Sequence, residues 1–149
     1  MTYNLPPKVV SRRGITLLEL ALVIIVLLGF VSLAFVATRA WKRGSERSLC
    51  ILTLRNMQMA ARSYQNLHGY DYGARPDEEN GTQDIAQHLH DKGYIEDQLF
   101  NRASGVAPCP SGGGYDCPSP DIFPEPGQLY MKCSLSATAG HQPSSTSNW

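Results

Sequence analysis

An uncharged apolar segment near the N-terminus constrains this chain more than any other feature. From Leu20 to Thr38 the sequence holds 19 residues without a formal charge, and Arg39 ends the run. A helix needs about 20 predominantly apolar residues to cross the hydrocarbon core of a bilayer. One acid, Glu19, stands at the entrance to the segment, and a carboxylate costs about 2.5–3.5 kcal/mol at the middle of a membrane. The sequence therefore predicts one membrane-spanning helix. Because a carboxylate is costly in this position, we expect Glu19 to have a functional role.

The residues around Glu19 form a motif. They read Arg12-Arg13-Gly14-Ile15-Thr16-Leu17-Leu18-Glu19-Leu20. This motif resembles the prepilin signature of type IV pilins and type II secretion pseudopilins. The resemblance implies that a prepilin peptidase cuts between Gly14 and Ile15 and then methylates Ile15 as the new N-terminus. It also implies that Glu19 pairs, in the assembled filament, with the N-terminal amine of a neighbouring subunit.

The apolar segment has two other interpretations, a secretory signal and a plain single-span anchor. A secretory signal has an apolar stretch of about 7–15 residues and an A-x-A-like cleavage site, whereas this stretch is longer and ends in Thr38-Arg39-Ala40. A plain single-span membrane anchor is the other alternative, but that interpretation gives no reason for a charged residue at position 19. Basic residues flank the segment on both sides, so charge bias does not set its orientation. The leader motif and the downstream cysteines favour a single-pass protein of the bacterial inner membrane, with its N-terminus cytoplasmic and its head periplasmic.

Apolar periodicity predicts that the helix continues beyond the membrane. One face is formed by residues spaced four, three, four and three apart, namely Cys50, Leu54, Met57, Ala61 and Tyr64. Gly69 after His68 indicates the end of the helix. Thr82 is expected to cap a short helix over 83–92, with Gly93 just past its end. Two strands are expected, one around Tyr115 and one within 128–134.

These elements predict an α+β fold, in which one long N-terminal helix packs on a small head with a short helix and a small antiparallel β hairpin. The predicted organisation is a leader peptide over 1–14, a transmembrane and filament-core helix over 15–38, an amphipathic half of the same helix over 39–68, a small globular head over 69–141 and a flexible tail over 142–149.

The C-terminal part carries a second resemblance. Its residues are Cys109-Pro110-Ser111-Gly112-Gly113-Gly114-Tyr115, then Cys133, then Gly140-His141. They resemble the Cys-Pro-x-Gly-Gly-x-Tyr…Cys…Gly-His ending of a group of bacterial pseudopilin-like proteins. The resemblance implies a disulfide between Cys109 and Cys133, which leaves Cys50 and Cys117 as the remaining pair. The chain departs from that ending by its extra Cys117 and by a longer gap before Gly140.

From the residues alone, four cysteines allow three pairings, and an oxidising compartment favours disulfides. A zinc site from Cys109, Cys117, Cys133 and His141 was considered, but these residues lack the short Cys-x2–4-Cys spacing of structural zinc sites. His88 and His90 are two residues apart and point to different helix faces. Three loop acids could approach a calcium ion, but they lack a loop signature like an EF-hand and are expected to be solvated: Asp116, Asp121 and Glu125. No metal ligand and no cofactor are therefore predicted.

Composition and motifs give no enzyme or nucleic-acid signature. Gly112–Gly114 is expected to be a turn between strands and opens no helix, so it is not a phosphate loop, and no hydrolase or metalloprotease motif is present. Removing the leader takes three of 13 basic residues and no acid, which leaves 10 basic and 13 acidic side chains. That balance gives no basic footprint for nucleic acid. No catalytic residue is predicted, and the chain is expected not to be an enzyme.

The resemblance implies a structural subunit of a type IV pilus-like or type II secretion pseudopilus filament. Its expected partners are prepilin peptidase, identical or related pilin subunits, the inner-membrane assembly platform and the membrane. Family members commonly have proline at the twenty-second mature residue, which is Val36 here, so major and minor subunit roles stay open. The alternative is a membrane-tethered ligand- or metal-binding module with a single N-terminal anchor.

Overall fold

The computed structural model describes Gly14, residues 16–147 and Trp149. The elements in this part of the chain are α1 (Leu17–His68), α2 (Ile85–Asp91), α3 (Asp97–Ala103), β1 (Tyr115–Asp116), β2 (Lys132–Cys133) and α4 (Ser136–Ala139). The fold is α+β, with one long N-terminal helix, as predicted. The chain divides into two compact units, Met1–Ala40 and Trp41–Trp149.

In the first unit, α1 presents apolar side chains to the outside on every face. Leu18 is 77% exposed, Val26 47% and Phe35 64%, and no residue of its most apolar stretch is buried. The core helix of a soluble protein would be covered on at least one side. This helix is long and apolar enough to cross a membrane.

In the second unit, one face of α1 forms the core. The predicted stripe from Cys50 to Tyr64 is buried at all five positions, with at most 2% of any side chain exposed. It packs in one cluster with Leu89, Phe123 and other buried residues of the head. Gln58 lies beside the stripe and pairs with main chain, since its Nε2 donates to Gln128 O at 3.0 Å and its Oε1 accepts from Tyr130 N at 2.8 Å.

The start of α2 differs from the prediction, because Asp84 and not Thr82 is its N-cap. The Asp84 carboxylate accepts from Ala86 N at 2.8 Å and from Gln87 N at 3.4 Å. A carboxylate here also faces the positive end of the helix, which a hydroxyl cannot exploit. Thr82 instead accepts from Asp84 N at 3.0 Å. Gly93 follows the helix with a φ of 75°.

Helix α3 was not predicted. Its N-cap, Glu96, makes no side-chain capping bond, so the usual start signal is weak. The helix is tied to α2 by His90, whose Nε2 lies 2.8 Å from Asp97 Oδ1. The His90 ring also stacks on Phe100, with the centroids 4.6 Å apart. Tertiary contacts of this kind cannot be read from local periodicity.

The two strands pair antiparallel, with Tyr115 opposite Cys133 and Asp116 opposite Lys132. Both predicted strand positions are therefore occupied, although β2 is shorter than the expected 128–134 segment. The turn at Gly112–Gly114 precedes β1, whereas it was expected between the strands. It lies against β2, because Gly114 N donates to Ser134 Oγ and Ser134 N donates to Gly114 O, both at 3.0 Å.

The segment predicted as a flexible tail makes contacts with the head. Thr146 Oγ1 donates to Gly127 O at 2.7 Å, and Trp149 O accepts from Arg62 at 3.3 Å. His141, placed at the end of the head by sequence, is 3% exposed. The mobility of 142–149 stays a prediction.

Candidate functional site

Within the N-terminal motif, Thr16 precedes α1, and residues 17–20 form the first turn of that helix. Thr16 Oγ1 accepts a hydrogen bond from Glu19 N at 3.2 Å, and Leu20 N donates to Thr16 O at 3.1 Å. A threonine followed three residues later by glutamate is the arrangement of a capping box. Glu19 thus also stands where a negative charge favours the helix N-terminus. The bond predicted to be cleaved joins Gly14 to Ile15, and Ile15 lies outside the described residues.

Gly14 lies in open space, since a Cβ built on it would meet no heavy atom within 4 Å. The fold itself therefore does not require glycine at this position. Two hydroxyls further along the apolar stretch are satisfied within the helix, because Ser32 Oγ donates to Leu28 O at 2.9 Å and Thr38 Oγ1 donates to Ala34 O at 3.1 Å. Glu19 is thus the one formally charged side chain between Gly14 and Arg39.

The head contains a second site that sequence spacing did not reveal. Cys50, Cys109, Cys133 and His141 each point one ligand atom at a common centre, and these four atoms all lie within 4.8 Å of one another. All four residues are buried, with 0–3% of each exposed. In the described part of the chain, no other group of three or more His, Cys, Asp or Glu ligands is gathered in this way.

Cys109 is placed by a tight turn that requires glycine. Cys109 N donates to Gly113 O at 2.6 Å, and Gly112 N donates to Cys109 O at 2.8 Å. Gly112 has a φ of 83°, which side chains with a Cβ rarely adopt. A Cβ on Gly113 would lie 2.7 Å from Leu135 Cγ. The double glycine therefore closes the turn and lets it approach the chain that follows β2.

The other three ligands come from separate elements. Cys50 opens the buried stripe of α1, and Cys133 ends β2. His141 follows α4 and its left-handed cap Gly140, which has a φ of 64°. Arg47, one turn before Cys50, donates from Nε to Gly140 O at 2.8 Å. His141 Nδ1 then lies 3.4 Å from Cys109 Sγ.

Burial lowers the acidity of two thiols of the cluster. It raises the pKa of the Cys50 and Cys133 thiols above their ordinary value, because a thiolate loses its hydration there. The neighbouring Tyr115 hydroxyl has its pKa raised for the same reason. That hydroxyl is buried and has no hydrogen-bond partner among the described residues.

The structure groups the cysteines differently from the predicted pairs. All four are free thiols, so the Cys109–Cys133 bridge is not formed here and stays a prediction. Cys50 joins these two residues, whereas Cys117 lies apart and contacts Ala103 O at 3.5 Å. Burial, with smaller contributions from Asp84 and Asp116, raises the pKa of Cys117 to about 12.

The remaining candidates have local partners. His88 is buried, with Nε2 3.0 Å from Thr82 O and Nδ1 3.4 Å from the Tyr64 hydroxyl. Asp121 forms an ion pair with Arg75 at 3.2 Å. These contacts account for both side chains without a bound ion.

Sequence reasoning did not place Cys50 with this cluster, because Cys50 lies 59 positions before Cys109. One feature of the sequence could have predicted the cluster. Cys50 starts the apolar stripe that faces the head, and the head contains Cys109, Cys133 and Gly140-His141.

No protein-family model matches this chain, no curated protein matches it significantly, and no solved structure matches it significantly.

Proposed function

We propose that this chain is a structural subunit of a type IV pilus-like or type II secretion pseudopilus filament. It is made as a single-pass protein of the bacterial inner membrane, trimmed after Gly14 by prepilin peptidase and then drawn into a fibre. The observation that carries the proposal is the position of Glu19, a lone acid in the first turn of a helix whose next 19 residues are uncharged.

The chemistry of Glu19 suits assembly. Cleavage would give Ile15 a free amino group four residues before Glu19, and methylation leaves that amine able to carry a positive charge. In a bundle of apolar helices, an acid or an amine alone is strongly disfavoured, so each selects the other on a neighbouring subunit. As with single polar residues in coiled coils, such pairing specifies axial register more than it adds net stability.

The exposed apolar surface of α1 supports the same proposal. Large side chains such as Leu33 and Val36 are each 70% exposed, and contiguous apolar surface of this extent marks a membrane or protein contact. Lipid would cover it before assembly, and helices of neighbouring subunits would cover it in the fibre. Its partners are thus the membrane, the assembly platform and related subunits.

One observation favours a second candidate, a membrane-tethered ligand- or metal-binding module. It is the convergence of three cysteines and one histidine in the head. In that case α1 would serve as an anchor alone, and Glu19 would have no role beyond the first turn of the helix.

The experiment compares Glu19→Val, Glu19→Gln and Leu20→Val in cells that carry a type IV assembly system. We expect all three to insert into the membrane and to be trimmed. Glu19→Val and Glu19→Gln should each lose at least about tenfold in filament incorporation, since neither carries the negative charge that forms an ion pair with a protonated amine. Leu20→Val is the matched control and should assemble normally.

The readout is the ratio of this chain in sheared filaments to that in membranes. Incorporation of Glu19→Val at the wild-type level would contradict the filament proposal and leave the anchor reading in its place. Failure of Glu19→Gln together with normal Leu20→Val would tie assembly to the charge itself.

A further inference from the structure

The four converging donors have the dimensions of a tetrahedral metal site. With Zn–S bonds of about 2.3 Å and Zn–N bonds of about 2.0–2.1 Å, the ligand atoms of a tetrahedral zinc lie about 3.5–3.8 Å apart. In the structure, Cys109 Sγ and His141 Nδ1 are 3.4 Å apart, and no pair among the four exceeds 4.8 Å. Closure around an ion therefore needs side-chain shifts of about 1 Å or less.

We propose that Cys50, Cys109, Cys133 and His141 bind one Zn²⁺ and that this ion clamps the head onto α1. The proposal does not depend on the filament function. Three sulfurs and one imidazole nitrogen are a ligand set of structural zinc sites. The geometry points to Nδ1 as the coordinating nitrogen of His141, because that atom faces Cys109 Sγ.

The site is structural and not catalytic. Catalytic zinc keeps one coordination position open for water or substrate, whereas four protein ligands close the shell. All four ligands here are buried, with at most 3% of any residue exposed. Binding would displace the protons of the three thiols to solvent, since zinc takes cysteine as thiolate.

Groups around the cluster suit the charge of a zinc–thiolate centre. Three thiolates and Zn²⁺ leave one net negative charge, and Arg47 holds a positive charge beside Gly140, next to the ligand His141. The buried Tyr115 hydroxyl, which lacks a partner among the described residues, neighbours Cys50. A thiolate would give it an acceptor, and such outer hydrogen bonds commonly orient metal ligands.

A disulfide accounts for the cluster less well. A Cys109–Cys133 bridge would use only two of the four donor atoms. It would not explain why the Cys50 thiol and the His141 imidazole are buried beside those two sulfurs. One zinc ion uses all four donors. The ion would also join α1, the turn at Gly112–Gly114, β2 and the segment after α4. Few aliphatic side chains hold these parts of the small head together.

The test uses the full-length protein, purified in detergent without added metal or chelator. Elemental analysis should find zinc equimolar with protein. After exchange with Co²⁺, the absorption spectrum should show thiolate-to-cobalt charge transfer and the visible bands of tetrahedral coordination. Removal of zinc by chelation should make residues from about 105 onward sensitive to protease, while α1 persists. A metal-free protein with a Cys109–Cys133 disulfide by non-reducing peptide mapping would overturn the proposal.

Variants assign the ligands. Cys50→Ser and Cys109→Ser should each weaken zinc retention against a competing chelator at least tenfold, whereas the matched control Cys117→Ser should retain zinc like wild type. His141→Cys keeps four ligands, so it should bind Co²⁺ with stronger charge-transfer absorption, and this readout does not rely on loss of folding. Unchanged metal binding and spectra in Cys50→Ser, or loss of metal in Cys117→Ser, would contradict this ligand set.

Discussion

The two halves of α1 have the same helical backbone but differ in the burial of their apolar side chains. Before Ala40, apolar residues face outward all round and none of the most apolar stretch is buried. Beyond Trp41, one stripe of apolar residues faces the head, and all five of its positions are buried. A helix forms in both cases, because helix formation satisfies main-chain polar groups whatever surrounds it.

The difference shows where each half finds its stability. The second half is buried by its own chain, through Tyr64, Phe123 and the rest of the head core. Among the described residues, none provides such cover for the first half, and contiguous apolar surface of this kind marks a membrane or protein contact. Changes in the first half should therefore act on processing and assembly, and changes in the second half on folding.

The largest effect that separates the halves is expected from Gly14→Val. Because a Cβ on Gly14 meets nothing within 4 Å, the substitution should leave folding of the chain unchanged. It should block trimming completely, since the peptidase must approach the backbone closely at this residue. Immunoblots of membranes would show the untrimmed 149-residue chain. Gly29→Ala is the control, because Gly29 also has open space around it, and it should be trimmed normally. Efficient trimming of Gly14→Val would contradict the proposed cleavage site.

A second test compares two leucines of the same helix. Leu54 is 2% exposed and Leu33 is 70% exposed. Leu54→Ala should lower the free energy of unfolding of the head by about 2–5 kcal/mol, through lost burial and a cavity. Leu33→Ala should leave that free energy unchanged, because most of the Leu33 side chain is exposed. Urea unfolding of the detergent-solubilised protein, followed by proteolysis of the head, measures both. Equal losses would mean that the two halves are not stabilised separately.

The smallest effect concerns the link between α2 and α3. The hydrogen bond that His90 Nε2 donates to Asp97 Oδ1 raises the pKa of His90 above its ordinary value of 6.5. A raised pKa in the folded state stabilises the head fully below the unfolded pKa, and this contribution is lost as the pH rises through the folded value. Asp97→Asn should lower the pKa of His90 in an NMR titration and remove most of that dependence. An unchanged pKa would show that the contact is not formed in solution. Leu33→Ala serves again as a control that leaves His90 unaffected.

Sequence predicted the features that depend on local pattern. The period of the stripe placed Cys50 and Tyr64 in the core, and Gly69, with a φ of 72°, ends the helix where expected. The predicted N-cap of α2 was wrong, because Thr82 and Asp84 are both good N-cap residues and only the fold decides between them. Helix α3 depends on contacts with α2 and was invisible to periodicity.

The cysteine cluster shows a different limit of sequence reasoning. The sequence predicts no metal site, because the four ligands come from four separate segments of the chain and have no short ligand spacing. Cys117 is close in sequence to Cys109 but faces Ala103, whereas the distant Cys50 faces the cluster. Only the packing of the C-terminal segments on α1 brings the donors together.

Intact-mass analysis of the wild-type protein, extracted from membranes of a host that carries prepilin peptidase, tests the central claim most directly. The claim is that the N-terminal half of α1, whose apolar side chains are exposed, forms the core of a filament after the leader is removed. The expected mass is that of residues 15–149 with one methyl group, and fragmentation should place that group on the amine of Ile15. An untrimmed chain of 149 residues, or a mature protein that starts at any other residue, would contradict the account.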